Sequence, residues 1–190
     1  IVTGRGKRAI EDHFDNSFEL ESQLLGTAKE SYLKEIKSII RNSTFTYVRQ
    51  KQILGLGHAI LSGEPLIGDA PFAVILADDL CDNEDNGIIQ QLIEIYIQYR
   101  CSVIALQEVS PEETSKYGII SGNLISNSSN TYQINDMVEK PESVDAPSNM
   151  AIIGRYILTP DIFNILQSIK PGKNGEIQIT DALIKQAKQG

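Results

Sequence analysis

Two short apolar runs constrain this chain more than anything else in it. "FAVIL", Phe72–Leu76, and "SVIAL", Ser102–Leu106, are nearly continuous in hydrophobic residues. A strand with one wet face alternates polar and apolar positions; a run without alternation is expected where both faces are covered. Strands of this kind need helices on either side. The segment between them supplies one, because Ile89, Leu92, Ile93 and Tyr96 recur at helical spacing and would share a face.

The same logic extends along the chain. Strands are expected at Phe45–Val48, Phe72–Leu76, Ser102–Val109, Tyr132–Val138 and Ala151–Leu158. Helices are expected at Ser31–Ile40, Gly57–Leu61, Gly87–Tyr99, Asp161–Ile169 and Ile179–Lys188. Asn86 is placed to cap the third helix and Pro160 to open the fourth, and Gly172 to turn the chain after it. Alternation through residue 109 predicts a parallel or mixed sheet between helical layers. The later strands predict an added antiparallel section, joined by the polar loop Asn127–Thr131. At 190 residues one domain is expected. "IVTG" at the start reads as the end of a strand already under way, which places the natural N-terminus upstream.

Composition narrows the function. The net charge of −8 disfavours nucleic acid, whose phosphates need clustered Lys and Arg. No apolar run is long enough to cross a membrane, and residues 1–10 have no signal-peptide core. Cys81 and Cys101 are the only cysteines, too few for a disulfide framework or a zinc site. They read as small buried hydrophobes in a reducing, cytoplasmic setting.

Four motifs carry chemistry. In "LADDL", Asp78 and Asp79 follow an apolar strand, where open α/β sheets bind ligands; a carboxylate there suits Mg²⁺ and phosphate. The same pair serves equally well as a turn or helix cap. In "VEKP", Glu139 can accept from sugar hydroxyls and Lys140 can neutralise a phosphate, although a Glu–Lys pair is also ordinary on a solvated strand. In "RQ…GLGHA", Gln50 can read a base edge, while the glycines and a helix N-terminus would admit a ligand to free backbone N–H groups. In "GEIQITDAL", Asp181 falls in a first helical turn, as a second metal carboxylate or as a complement to the helix dipole. "TGRGKR" reads best as a strand-to-helix turn with a solvated basic face.

Taken together and in this order, "TGRGKRAIEDHFD", "GLGHAI", "FAVILADDL", "KYGII", "MVEKP", "APSNMAIIGRYIL" and "GEIQITDAL" resemble the bacterial UTP–glucose-1-phosphate uridylyltransferase family over essentially the whole chain. The resemblance implies a Rossmann-like three-layer α/β/α nucleotidyltransferase domain with a mostly parallel mixed sheet and an antiparallel addition. It spans 1–190 and is incomplete at both ends, lacking the family's N-terminal Gly-rich loop and its C-terminal segment. It implies Mg²⁺-assisted transfer of UMP from UTP to glucose 1-phosphate in a cytoplasmic enzyme that is a homo-oligomer when complete. Position by position it implies uracil contacts at Gln50 and Gly55, Mg²⁺ on Asp78 and Asp181 with Asp79 in support, a sugar contact at Gly118, glucose hydroxyls on Glu139 and the sugar phosphate on Lys140. Without the Gly-rich loop, the 190-residue chain alone is expected to be weakly active or inactive. Three other readings compete: a related enzyme for another base or sugar, a non-catalytic sugar-nucleotide binder, and a nucleotide-sugar glycosyltransferase.

Overall fold

The computed structural model describes residues 1–82, 87–126, 128–172 and 175–189. They fall into two compact units, residues 1–53 and 54–190.

In the first unit a short parallel pair, β1 (Val2–Thr3) and β2 (Val48–Arg49), brackets three helices: α1 (Arg8–His13), α2 (Phe18–Leu24) and α3 (Glu30–Asn42). The "IVTG" segment is a strand and "TGRGKR" is the turn from it into α1, as the residue pattern predicts. The Gln50 N–H donates to the Thr3 carbonyl at 2.9 Å and prolongs the ladder by one residue. Phe14 stacks on Phe45 with ring centroids 4.4 Å apart, and Leu33 is buried. The extent of α1 and the whole of α2 lie outside the periodic pattern, because neither helix buries a residue.

The second unit holds α4 (Gly55–Ser62), α5 (Glu64–Ile67), β3 (Phe72–Ile75), α6 (Ile88–Tyr99), β4 (Val103–Glu108), a 3₁₀ turn (Pro111–Lys116), β5 (Gly118–Leu124), β6 (Tyr132–Glu139), β7 (Met150–Leu158), α7 (Asp161–Ser168) and α8 (Ile179–Ala187). The strand β7 organises the sheet. β4 pairs along one edge of it, while β3 and the start of β5 share the other edge, and β6 extends the sheet beyond β5.

Alternate side chains of β7 go to opposite layers. Ile152, Tyr156 and Leu158 enter a core closed by α4, α7 and α8; Ile153 and Ile157 enter a smaller one closed by α6. On β4, Ile104 and Leu106 face the first core and Val103 and Ala105 the second. This two-sided burial is why "SVIAL" lacks alternation. β3 differs from that expectation: Phe72, Val74 and Leu76 pack against the first core while Ala73 and Ile75 are exposed, so "FAVIL" is covered on one face and not on both.

Three further expectations are corrected. All pairings described in the five-stranded sheet are antiparallel, and the parallel pair is β1·β2. β3 and β4 do run in the same direction, as their alternation with a helix predicts, but β7 lies between them. On α6 the buried face is Ile88, Ile89, Leu92 and Tyr96, whereas Ile93 is turned outward. Neither cysteine is buried: Cys81 follows the turn after β3, and Cys101 is exposed beside Arg100, whose left-handed φ of 57° ends α6. Asn86, expected to cap this helix, lies outside the described residues, as does Asn127 of the β5–β6 loop.

Candidate active site

The site grows out of the place where β3 leaves the sheet. The Leu76 N–H still donates to the Gly154 carbonyl at 2.9 Å, the last rung between β3 and β7. Beyond it the chain turns away, which would leave the buried Gly154 N–H without a partner. A buried backbone donor left unpaired is costly, so a substitute acceptor is expected. Asp79 provides it, with its Oδ2 2.8 Å from the Gly154 nitrogen. Gly154 must be glycine: a Cβ there would overlap the Asp79 carboxylate and lie 2.6 Å from Leu76 Cβ. Because residues 76 and 79 are both held to β7, the two between them, Ala77 and Asp78, are turned out and exposed. Two adjacent aspartates thus acquire different jobs, one structural and one free to meet a ligand.

A second group forms where β5 begins and β6 ends. Gly118 and Glu139 are cross-strand partners. Glu139 accepts a hydrogen bond from Thr180 Oγ1 at 3.0 Å, and Thr180 is buried in the first turn of α8, one residue before the exposed Asp181. A Cβ at Gly118 would stand 2.9 Å from Thr180 Cγ2 and 3.4 Å from Glu139 Oε2, so a side chain there would disturb both. Lys140 follows with φ of 47°, a conformation that costs a residue with a Cβ roughly 1–2 kcal/mol. Its N–H donates to the Tyr117 carbonyl at 3.0 Å and the next residue, Pro141, is buried; its own side chain is exposed.

Tyr156 joins the two groups. Burial pushes its phenol up to about 12, and the charges of Asp79, Glu139 and Asp78 add to the shift. One buried ring therefore feels three of the carboxylates expected to form the site.

The third and fourth motifs also meet. The Ile177 N–H donates to the Leu54 carbonyl at 2.8 Å, and the Gly57 N–H donates to the Ile177 carbonyl at 2.9 Å. Gly55, with φ of 87°, would place a Cβ 2.9 Å from Glu176 Cβ. The glycines of "GLGHA" thus admit a neighbouring stretch of chain, which corrects the expectation of a helix N-terminus with free N–H groups: that of Gly57 is taken. Gln50 lies in the first unit, at the end of β2.

Sequence reasoning missed Thr180, Gly154, Arg155 and Tyr156. Each sits inside a motif, "QITDAL" or "GRYIL", but as ordinary strand or helix residues; only pairing across the sheet reveals what they touch.

The chain carries the pattern of the nucleotidyl transferase family over residues 15–190. It is 60% identical to a UTP–glucose-1-phosphate uridylyltransferase of Pseudomonas aeruginosa, an alignment that covers 100% of this chain and 68% of the relative. Among solved structures it superposes on an apo UDP-glucose pyrophosphorylase with a TM-score of 0.93 at 60% identity, covering 100% of this chain and 69% of the other. A UDP-glucose pyrophosphorylase complexed with UDP-glucose gives 0.91 at 57% identity, with the same coverage. The chain belongs to the UTP–glucose-1-phosphate uridylyltransferase family of nucleotidyltransferases. No described helix is long and apolar enough to cross a membrane.

Proposed function

We propose that the protein transfers UMP from UTP to glucose 1-phosphate, giving UDP-glucose and pyrophosphate, with both units parts of one nucleotidyltransferase domain. The observation that carries this reading is the exposed Asp78 and the Thr180-held Glu139, whose charges both act on the buried Tyr156 phenol, in a chain 57% identical to a pyrophosphorylase solved with UDP-glucose. An oxygen of glucose 1-phosphate attacks the α-phosphorus of UTP in line, and pyrophosphate departs. The attacking phosphate monoester is already an anion near neutral pH, its second pKa being about 6, so no general base is required. The barrier is the approach of two polyanions, which positioning and charge neutralisation must lower.

The residues divide that work. Lys140, exposed beside Glu139, pairs with the sugar phosphate. Glu139, aimed by Thr180, accepts from glucose hydroxyls, and the backbone at Gly118 contacts the sugar. Gln50 and Gly55 recognise uracil. No cluster of three or more His, Cys, Asp or Glu with metal-binding geometry occurs among the described residues. Mg²⁺ suits this site all the same, because it takes hard oxygen donors and is commonly held by one or two carboxylates with substrate phosphates. Asp78 and Asp181 are the two we assign to it. When bound, Mg²⁺ would offset the charge of the triphosphate.

The test is pyrophosphate release from UTP, glucose 1-phosphate and Mg²⁺ by the full-length enzyme. Turnover with UTP well above that with dTTP or GTP supports the reading. UDP-glucose binding without Mg²⁺-dependent turnover would overturn it.

A further inference from the structure

The guanidinium of Arg155 lies against the turn that carries Asp78, yet it pairs with no carboxylate among the described residues. Its Nη1 donates to the Leu76 carbonyl at 3.0 Å and to the Gly154 carbonyl at 2.8 Å, and its Nη2 donates to the Asp79 carbonyl at 2.5 Å. Arg155 is the cross-strand partner of Ile75, so its side chain starts one residue short of the turn and reaches along it. The three acceptors are the carbonyls at which β3 ends, at which the turn closes, and to which the last rung is tied. Together with the Gly154–Asp79 bond, these contacts tie residues 76 and 79 to β7, and none of them touches Asp78.

A planar fork with several fixed donors is suited to holding several carbonyls at once, and a lysine ammonium at the same place could not reproduce its geometry. The positive charge also sits beneath a turn bearing two aspartates. We propose that Arg155 is a positioning residue for the reaction: it locks the 76–79 turn so that the Asp78 carboxylate is presented in one orientation to the metal and nucleotide phosphates. This rests on the assignment of Asp78 to Mg²⁺ made above. The ordering entropy of the turn is met in folding, before ligand arrives, which is how a supporting residue sharpens a metal site without touching the metal.

The experiment compares Arg155→Met, Arg155→Lys and Asp78→Asn in the full-length enzyme. Three quantities are read: the Mg²⁺ concentration for half-maximal rate, Mn²⁺ affinity by electron paramagnetic resonance, and amide hydrogen exchange at Leu76 and Gly154 against α7 and α8. Loss of such support commonly costs about 10–100-fold in metal affinity. Arg155→Met is expected to raise the half-activating Mg²⁺ and weaken Mn²⁺ binding by about 10-fold. It should speed exchange at Leu76 and Gly154 while α7 and α8 stay at wild-type rates, and Arg155→Lys should recover only part of each loss. A wild-type metal response and wild-type exchange at the turn in Arg155→Met would overturn the proposal, as would faster exchange spread evenly through α7 and α8. A wild-type metal response in Asp78→Asn would remove the metal assignment itself, and the proposal with it. A shifted response in Asp78→Asn with none in Arg155→Met would remove the proposal alone.

Discussion

Two strand ends in the second unit carry the acidic motifs, and they are built on different principles. After β3, the aspartate turn is held by side chains that substitute for a lost β-ladder: Asp79 takes the Gly154 N–H and Arg155 takes the carbonyls. After β6, the Glu139–Lys140 turn is shaped by the backbone itself, through a left-handed Lys140 and a buried Pro141, with one side-chain bond from Thr180. The first arrangement is relaxed and depends on distant residues. The second stores local strain at Lys140. Strain of this sort persists only where surrounding structure enforces it, and it concentrates at functional sites.

The largest expected effect separates the paired aspartates. Asp78→Asn should lower kcat on the order of 10³-fold, the several kcal/mol that a metal contact supplies, and leave the melting temperature near wild type because its carboxylate is exposed. Asp79→Ala should instead lower stability by about 1–3 kcal/mol, since it strands the Gly154 N–H. Urea titration beside steady-state rates measures both; a large stability loss in Asp78→Asn would break the comparison.

Next comes the strained turn. Lys140→Ala and Lys140→Gly both remove the phosphate contact and should cost on the order of 10²-fold in kcat/KM. They should differ in stability, because glycine adopts a φ of 47° without the Cβ penalty. Lys140→Gly is expected to be more stable than Lys140→Ala by about 1 kcal/mol, read from urea midpoints; equal stability would mean that the turn is not strained.

A smaller effect is expected at Thr180. Thr180→Val keeps the shape but removes the donor to Glu139, so KM for glucose 1-phosphate should rise about 5-fold while kcat with saturating sugar changes little. Unchanged KM would disconnect Glu139 from the sugar.

Near neutral pH the smallest effect is that of Tyr156→Phe, but it should grow in alkali. The folded phenol is raised to about 12, above the ordinary value of 10. Below pH 10 both folded and unfolded states hold the proton and the contribution is intact. From pH 10 to 12 the unfolded chain releases it first, so stability is lost across that window. A shift of this size corresponds to about 2–3 kcal/mol. The wild-type protein should lose that much more stability than Tyr156→Phe between those pH values, as denaturant titrations at each pH would show.

Much of this was legible in the residues. The α/β class followed from "FAVIL" and "SVIAL", and α3, α4, α6, α7 and α8 followed from apolar periodicity and from Pro160. Strand β5 did not, because "GIISGNL" contains two glycines and no clean alternation; it is a strand through its pairing with β6. Asp78, Glu139, Lys140 and Asp181 were nameable because they sit at the ends of recognisable elements. Thr180 and Arg155 were not, because their roles lie in partners 41 and 76 positions away along the chain.

The sequence by itself therefore determined what local physics determines: where apolar stripes require helices, that the unbroken run "SVIAL" requires cover on both faces, and which charged groups stand at strand ends. It also placed the chain in its family, since several motifs kept in order over one length are specific. Only the tertiary structure decided that β7 would lie between β3 and β4, and that one aspartate of an identical pair would be tied while its neighbour is turned outward. The reason is that hydrogen-bond pairing acts across the sheet: whether Asp79 is a ligand or a strut depends on a lone N–H at Gly154, 75 residues away.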